Sequence, residues 1–291
     1  KKSLMYVTRF APTPSGPLHF GSLITLTGAY LRARSQQGRF LIRIEDLDTD
    51  RCPKANTETV LHQIEVLGFD HDGDILHQSQ NIARYEQRLK ELRENGLTFN
   101  CYCSREMLRK TPCNCLDTKL PSSNIYSVRL SICDYEDKGF SDLLQGFVNF
   151  RGYSSYGEQY MILKRRDGIF SYNFACVTDD IDSGITEVVR GRDLIDVTVP
   201  QMALYKAFNA PCPKFMHLPL ALTADGRKLS KQNKASSVTD TMSPQEALKK
   251  ALQFLGQDTD FIRNGMSCEA ILHTASLNFC IEKIPLHSAV Y

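Results

Sequence analysis

The stretch RFAPTPSGPLHFGSL, Arg9 to Leu23, starts as a buried strand, breaks at Pro12 and Pro14, and resumes as a helix with His19 and Gly21 at the joint. Upstream, LMYVTRFAP reads as a short strand that the prolines end, because their rings fix φ and remove a donor. Downstream, LHFGSLITLTGAYLRARSQQG sets Leu23, Leu26, Ala29, Tyr30 and Leu31 in a helical pattern, with Gly38 as the stop. RFLIRIED then reads as a second strand with Phe40, Ile42 and Ile44 on one face. Strand, helix and strand in this order predict a parallel pair joined by a crossover. Two more amphipathic helices follow, ANTETVLHQIEVLGF and NIARYEQRLKELRENG, the second closed by Asn95-Gly96. Residues 1–100 are therefore expected to form the first half of a doubly wound, Rossmann-type parallel-sheet α/β nucleotide-binding core.

Beyond residue 100 the texture changes. CYCSREMLRKTPCNC opens a segment, 101–190, with short β-like runs: IYSVRLSI, GFVNFRG and QYMILKRRDGIFSYNFACVTDD. An inserted α+β domain with its own small sheet is expected there. GITEVVRGRDL reads as a strand leaving a glycine turn, TVPQMALYKAFNA as a helix, and KFMHLPLALTADGRKLSKQ as strand, turn and basic loop. These make 191–240 the second half of the core. In 241–291, SPQEALKKALQFLG and CEAILHTASLNFCIEKIP predict a short helical region, with Ser243, Pro244 and Glu246 as a capping box.

Composition narrows the class. The chain has 291 residues, 42% hydrophobic and 23% charged, enough for a sizeable core without staples. Its 35 Lys plus Arg nearly balance 33 Asp plus Glu, so any nucleic-acid contact must come from a local patch. With no apolar run of about 18 residues and no signal-peptide pattern, neither a membrane span nor secretion is expected, and the cytoplasm is the default. A monomer is expected. Four of the ten cysteines, Cys101, Cys103, Cys113 and Cys115, crowd into the segment that opens the insertion. Four thiolates on two tight turns suit one tetrahedral, structural Zn²⁺ rather than disulfides.

In doubly wound folds ligands sit beyond the carboxyl ends of the strands, where residues 11–22 fall. A helix N-terminus there offers N–H groups and a positive dipole end to phosphate; Gly21 lets a nucleotide approach the backbone, and His19 can hydrogen-bond a phosphate oxygen. DGRKLSKQNK, Asp225 to Lys234, places Lys228 and Lys231 on a basic loop that can clamp polyphosphate, with Ser230 beside them. Alternation on the second strand leaves Arg43 and Glu45 readable as a solvent-facing row.

Together the two motifs carry a resemblance. PSGPLHFGS resembles the HIGH signature, and KLSKQ the KMSKS signature, of class I aminoacyl-tRNA synthetases. RFAPTPSGPLHFGSL followed by RIEDLDTDR is similar to the glutamyl branch. The resemblance implies that glutamate's carboxylate attacks the α-phosphate of ATP, bound with Mg²⁺, leaving glutamyl-adenylate, and that the glutamyl group passes to RNA. It implies ATP contacts at His19, Gly21, Lys228 and Lys231, with His19 and Lys231 catalytic. It implies a glutamate pocket of Arg9, Ala11, Ser15, Glu45, Tyr172 and Arg190, in which Glu45 accepts the α-ammonium and Arg190 offers a bidentate fork. Asp179, Asp180 and Asp193 are expected to orient substrate or RNA. The family's metal site has a longer interval before its last cysteine; here Cys113 is preferred to Tyr102 or Tyr126 as third ligand.

Only about 50 residues follow the lysine loop, so the chain also resembles the shortened glutamyl-Q tRNA(Asp) synthetases. Those activate glutamate without tRNA and attach it to queuosine at the first anticodon position of tRNA(Asp), which makes queuosine-bearing tRNA(Asp) the expected partner. Lys164, Arg165 and Arg166 are candidates for the basic strip that would meet it. Two alternatives stand beside this one: a truncated glutamyl-tRNA synthetase charging the 3′ end, and a catalytically silent RNA-binding module.

Overall fold

The computed structural model describes residues 5–111, 113–116, 125–131, 139–149, 160–223, 226 and 237–290. The first half runs β1 (Val7–Phe10), α1 (Phe20–Ser35), β2 (Arg39–Ile44), α2 (Lys54–Val66), β3 (Leu76–His77) and α3 (Ile82–Glu94). The middle holds β4 (Thr98–Cys101), α4 (Arg105–Lys110), β5 (Ser127–Ser131), β6 (Gly139–Asp142), β7 (Gly146–Asn149) and β8 (Tyr160–Lys164). Then come α5 (Tyr172–Asp182), β9 (Glu187–Gly191), α6 (Thr198–Ala207), β10 (Lys214–Leu218), β11 (Ala221–Leu222), α7 (Val238–Thr241), α8 (Pro244–Phe254), α9 (Cys268–Leu277) and β12 (Ala289–Val290).

β1, β2 and β3 pair in parallel, as the crossover pattern requires. β10 pairs in parallel with β9 and with β6. The two sheets meet at β1 and β9: the Thr186 N–H donates to the Val7 carbonyl at 2.9 Å, and the Val7 N–H to Thr186 Oγ1 at 2.9 Å. α1 is buried on nearly every side, because the strands lie on one face and α8 and α9 on the other. Gly28 lets α1 close on the strands; a Cβ there would lie 2.5 Å from Leu218 Cδ1. On the far side Phe20 meets Phe254 edge to face at 6.0 Å. Ser243 caps α8 by accepting from the Glu246 N–H, with Pro244 at its first position.

Two expectations are corrected. FSYNFACVTDD is not β-like but forms α5, capped by Ser171, whose hydroxyl accepts from the Phe174 N–H, and closed at Gly184 with φ +65°. Its Phe, Cys, Val and Thr residues suggest a strand, yet burial from Phe174 through Asp180 removes the polar face that would mark a helix. The span 101–190 is also not one sheet. β4, β5 and β8 make an antiparallel sheet of their own, whereas β6 and β7 extend the core sheet beside β10. Phe140, Val188 and Phe215 share one buried cluster, which explains the attachment. Among the described residues no helix is long and apolar enough to cross a membrane.

Candidate functional site

His19 is the N-cap of α1, and its Nδ1 accepts from the Ser22 N–H at 3.3 Å. A ring nitrogen that accepts carries no proton, so the neutral imidazole holds its hydrogen on Nε2. Gly21 is the second residue of the helix. Lys228, Ser230 and Lys231 lie outside the described residues, but the chain that follows them is tied to this elbow. The Val238 N–H donates to the Leu18 carbonyl at 2.9 Å. Gln63 of α2 accepts from the Leu18 N–H at 2.7 Å and donates through Nε2 to Ser237 Oγ and Thr239 Oγ1, both at 3.0 Å. Lys231 precedes Ser237 by six residues, a tether of at most about 20 Å. Nothing local in the sequence singles out Gln63.

The carboxyl ends of β1, β2 and β9 bring the other candidates together. Arg9 is buried and bound to Asp180 through Nε and Nη2 at 2.9 and 3.1 Å, so its charge is balanced within the protein. Arg43 also holds Asp180, and reaches Glu45 Oε1 at 3.1 Å. Arg43 and Glu45 therefore do not face solvent; their side chains are 4% and 8% exposed. Asp180 anchors both arginines; burial alone would push it up, but Arg9 and Arg43 prevail and hold it at about 2. Asp179 is fully enclosed too, accepting from Gln78, Asn81 and Tyr85. Burial raises Glu45 above the usual carboxylate range against the pull of Arg43 and Arg9. Tyr172 opens α5 in electrostatic reach of Glu45, Arg190 and Arg9, and burial pushes its phenol well up. Ala11 is half-buried and Ser15 exposed on the turn above. Arg190 donates from Nε to His217 at 3.0 Å, from Nη1 to Gln201 at 2.7 Å and from Nη2 to Thr198 at 2.8 Å. The turn before α1 thus adjoins this charged group, with the Thr13 hydroxyl donating to Glu45 Oε2 at 3.4 Å and the Glu45 N–H to the Pro12 carbonyl at 3.0 Å, and cations beside a carboxylate suit an amino acid with two carboxylates and one ammonium.

Comparison with known proteins shows the family. Residues 5–123 and 116–288 match the family model "tRNA synthetases class I (E and Q), catalytic domain". Glutamyl-Q tRNA(Asp) synthetase of Pectobacterium atrosepticum is 41% identical over 98% of this chain and 88% of its own length. The chain belongs to that family. The same-named protein of Escherichia coli K12 is 41% identical over 96% of this chain and 91% of its own. Glutamate-tRNA synthetase from Elizabethkingia anophelis shares the fold, with a TM-score of 0.78 at 21% identity over 99% of this chain and 68% of that one. The protein is accordingly a ligase-type enzyme with the class I synthetase catalytic fold.

Away from the elbow, the synthetase gathers Cys101, Cys103, Cys113 and Cys115 with all four sulfurs within 4.8 Å of one another. Sulfur separations of 3.7, 3.8 and 3.4 Å are too long for a disulfide. They suit a tetrahedral ion, for which Zn–S bonds of about 2.3 Å imply S···S of about 3.8 Å. α4, capped by Ser104, links the two pairs and fixes their spacing. Burial and the neighbouring sulfurs push the Cys103 thiol up, so it is a bound cation that would draw off its proton and hold the thiolate. Next to this cluster a cleft of about 600 Å³ is lined by Arg105, Arg109, Arg129, Arg165 and Arg166. Lys164 does not line it; it pairs with Glu86 and lies 4.8 Å over the Phe170 ring.

Proposed function

We propose that the protein activates L-glutamate with Mg²⁺-bound ATP, without RNA, and passes the glutamyl group to queuosine at the first anticodon position of tRNA(Asp). The observation that carries this reading is the junction of Leu18, Gln63 and Ser237, which ties the exit of the lysine loop to the histidine elbow. A glutamate carboxylate oxygen attacks the α-phosphorus, a P–O bond forms, and the bond to the β-phosphate oxygen breaks as pyrophosphate leaves. No proton need move in this step, so the protein's work is positioning and charge stabilisation. His19 donates from Nε2, the α1 N-terminus adds its dipole beside Gly21, and Lys228 and Lys231 neutralise the leaving phosphates. Glu45 receives the ammonium, and Arg190, with Tyr172, Ala11, Ser15 and Arg9 around it, receives the side-chain carboxylate. In the second step a hydroxyl oxygen of the modified base attacks the acyl carbon, the bond from that carbon to the adenylate phosphate oxygen breaks, and AMP leaves with its phosphate taking up the hydroxyl proton. The five-arginine cleft is the surface that suits anticodon-loop phosphates, and the names of the relatives support that RNA.

The expected result is glutamate-dependent ATP–pyrophosphate exchange in the absence of RNA, followed by label from glutamate on the modified anticodon nucleotide. Exchange that requires RNA, with label on the 3′-terminal ribose, would establish 3′-end charging instead. No exchange at all would leave an RNA-binding module.

Cys101, Cys103, Cys113 and Cys115 are the residues that would hold zinc, which when bound would cross-link β4 to the turn at 113–116. The sheet of β4, β5 and β8 then owes part of its stability to the ion, because it has three strands among the described residues. Chelation is expected to open β4, β5 and β8 to amide exchange before β1, β2 and β9 lose protection. Simultaneous loss from both sheets, or purified protein carrying no zinc, would defeat the assignment.

A further inference from the structure

His217 of β10 lies behind Arg190, buried against the Phe140 and Phe215 rings, and its two ring nitrogens have opposite duties. Nε2 receives the Arg190 Nε–H at 3.0 Å, so it must present a lone pair. Nδ1 faces Asp142 Oδ2 at 2.6 Å, so the proton sits there. Asp142 has no freedom to answer otherwise. Its Oδ1 accepts backbone N–H groups from Leu144 at 3.0 Å, Gln145 at 2.9 Å and His217 itself at 3.3 Å. Burial and the adjoining Arg190 push the His217 pKa down, against the pull of Asp142. Arg190 has five N–H groups; three donate to His217, Gln201 and Thr198, leaving one on each terminal nitrogen without a partner among the described residues.

We propose that Asp142 is a positioning residue for glutamate recognition: it locks His217 as the Nδ1–H tautomer, and the Nε2 lone pair so preserved holds the Arg190 guanidinium where its two remaining N–H groups meet the substrate carboxylate. The proposal rests on the reading of Arg190 given above. It also gives a reason for β6 to join the core sheet, since that pairing is what delivers Asp142 to β10.

Asp142→Asn tests it with almost no change of shape. The three backbone N–H groups require an acceptor at the Oδ1 position, so the amide NH₂ must turn toward Nδ1. Nδ1 then becomes the acceptor, the proton moves to Nε2, and N–H meets N–H at Arg190, the wrong-tautomer effect known from other buried Asp–His pairs. The KM for glutamate in pyrophosphate exchange is expected to rise roughly tenfold or more, as befits the loss of a hydrogen bond from a charged donor, while the KM for ATP stays within about twofold. ¹⁵N NMR of the parent protein should show His217 protonated at Nδ1, a measurement that needs no variant. A folded Asp142→Asn protein with unchanged glutamate KM, or a parent ring protonated at Nε2, overturns the inference alone. A parent that supports no glutamate-dependent exchange overturns the proposed reaction and this inference with it.

Discussion

Asp180→Asn is expected to destabilise the protein by roughly 3–5 kcal/mol, the range seen when one partner of a buried ion pair is removed. Asp180 and Arg9 are 3% and 4% exposed, and Arg43 shares the same carboxylate. Asparagine keeps the volume but not the charge, so two buried guanidinium groups would face each other with only Glu45 and the more distant Asp179 to balance them. Thermal unfolding should report a fall in Tm on the order of 10 °C. The pH dependence has a defined sign. The folded pKa of Asp180, about 2, lies below its unfolded value of about 3.9, so its contribution is complete above the unfolded value and is lost as pH falls through the folded one. The gap between parent and variant should therefore be widest near neutrality and close in strong acid. A variant within about 1 kcal/mol of the parent at pH 7, a value typical of surface pairs, would show that the network is not needed to neutralise its arginines.

Lys231→Ala is expected to slow pyrophosphate exchange roughly 100- to 1,000-fold while thermal unfolding stays unchanged, the scale seen when one preorganised transition-state donor is removed. Lys231 belongs to a basic run of sequence with Arg227, Lys228 and Lys234, which taken alone reads as an ordinary solvated turn. Magnitude separates the two readings. A surface lysine with no ligand alters any energy by less than about 0.5 kcal/mol, or about twofold in rate. An ammonium about 4 Å from a developing phosphate charge gains about 4 kcal/mol at the effective dielectric of a protein surface. A loss below about threefold would remove Lys231 from the reaction and leave His19 and the helix terminus to stabilise the leaving phosphates alone.

Much of the architecture was legible because it is encoded over short stretches. The β1–α1–β2 unit, the helices α2, α3, α6, α8 and α9, and the Ser243 cap follow from periodicity and capping within a turn or two. The cysteine cluster was legible for the same reason, since ligands two residues apart stay together whatever the rest of the chain does. α5 was not, because burial on all sides erases the helical pattern and leaves only residue types that favour strands. Gln63, Asp142 and His217 were not either. Gln63 meets Ser237 across 174 residues, and Asp142 meets His217 across 75, so no local signal marks them.

By itself the sequence determined the strand–helix elbow, the parallel start of the core, the metal-type cysteine spacing and, through its two signatures, the family. Only the tertiary structure decided which charges neutralise one another, that Arg9 and Arg43 share Asp180, and that Arg190 leans on a histidine whose tautomer another strand sets. The physical reason is range. Periodicity and capping act between residues a turn apart, whereas burial strips water from side chains far apart in the chain and obliges each charge and each lone pair to find its partner in space.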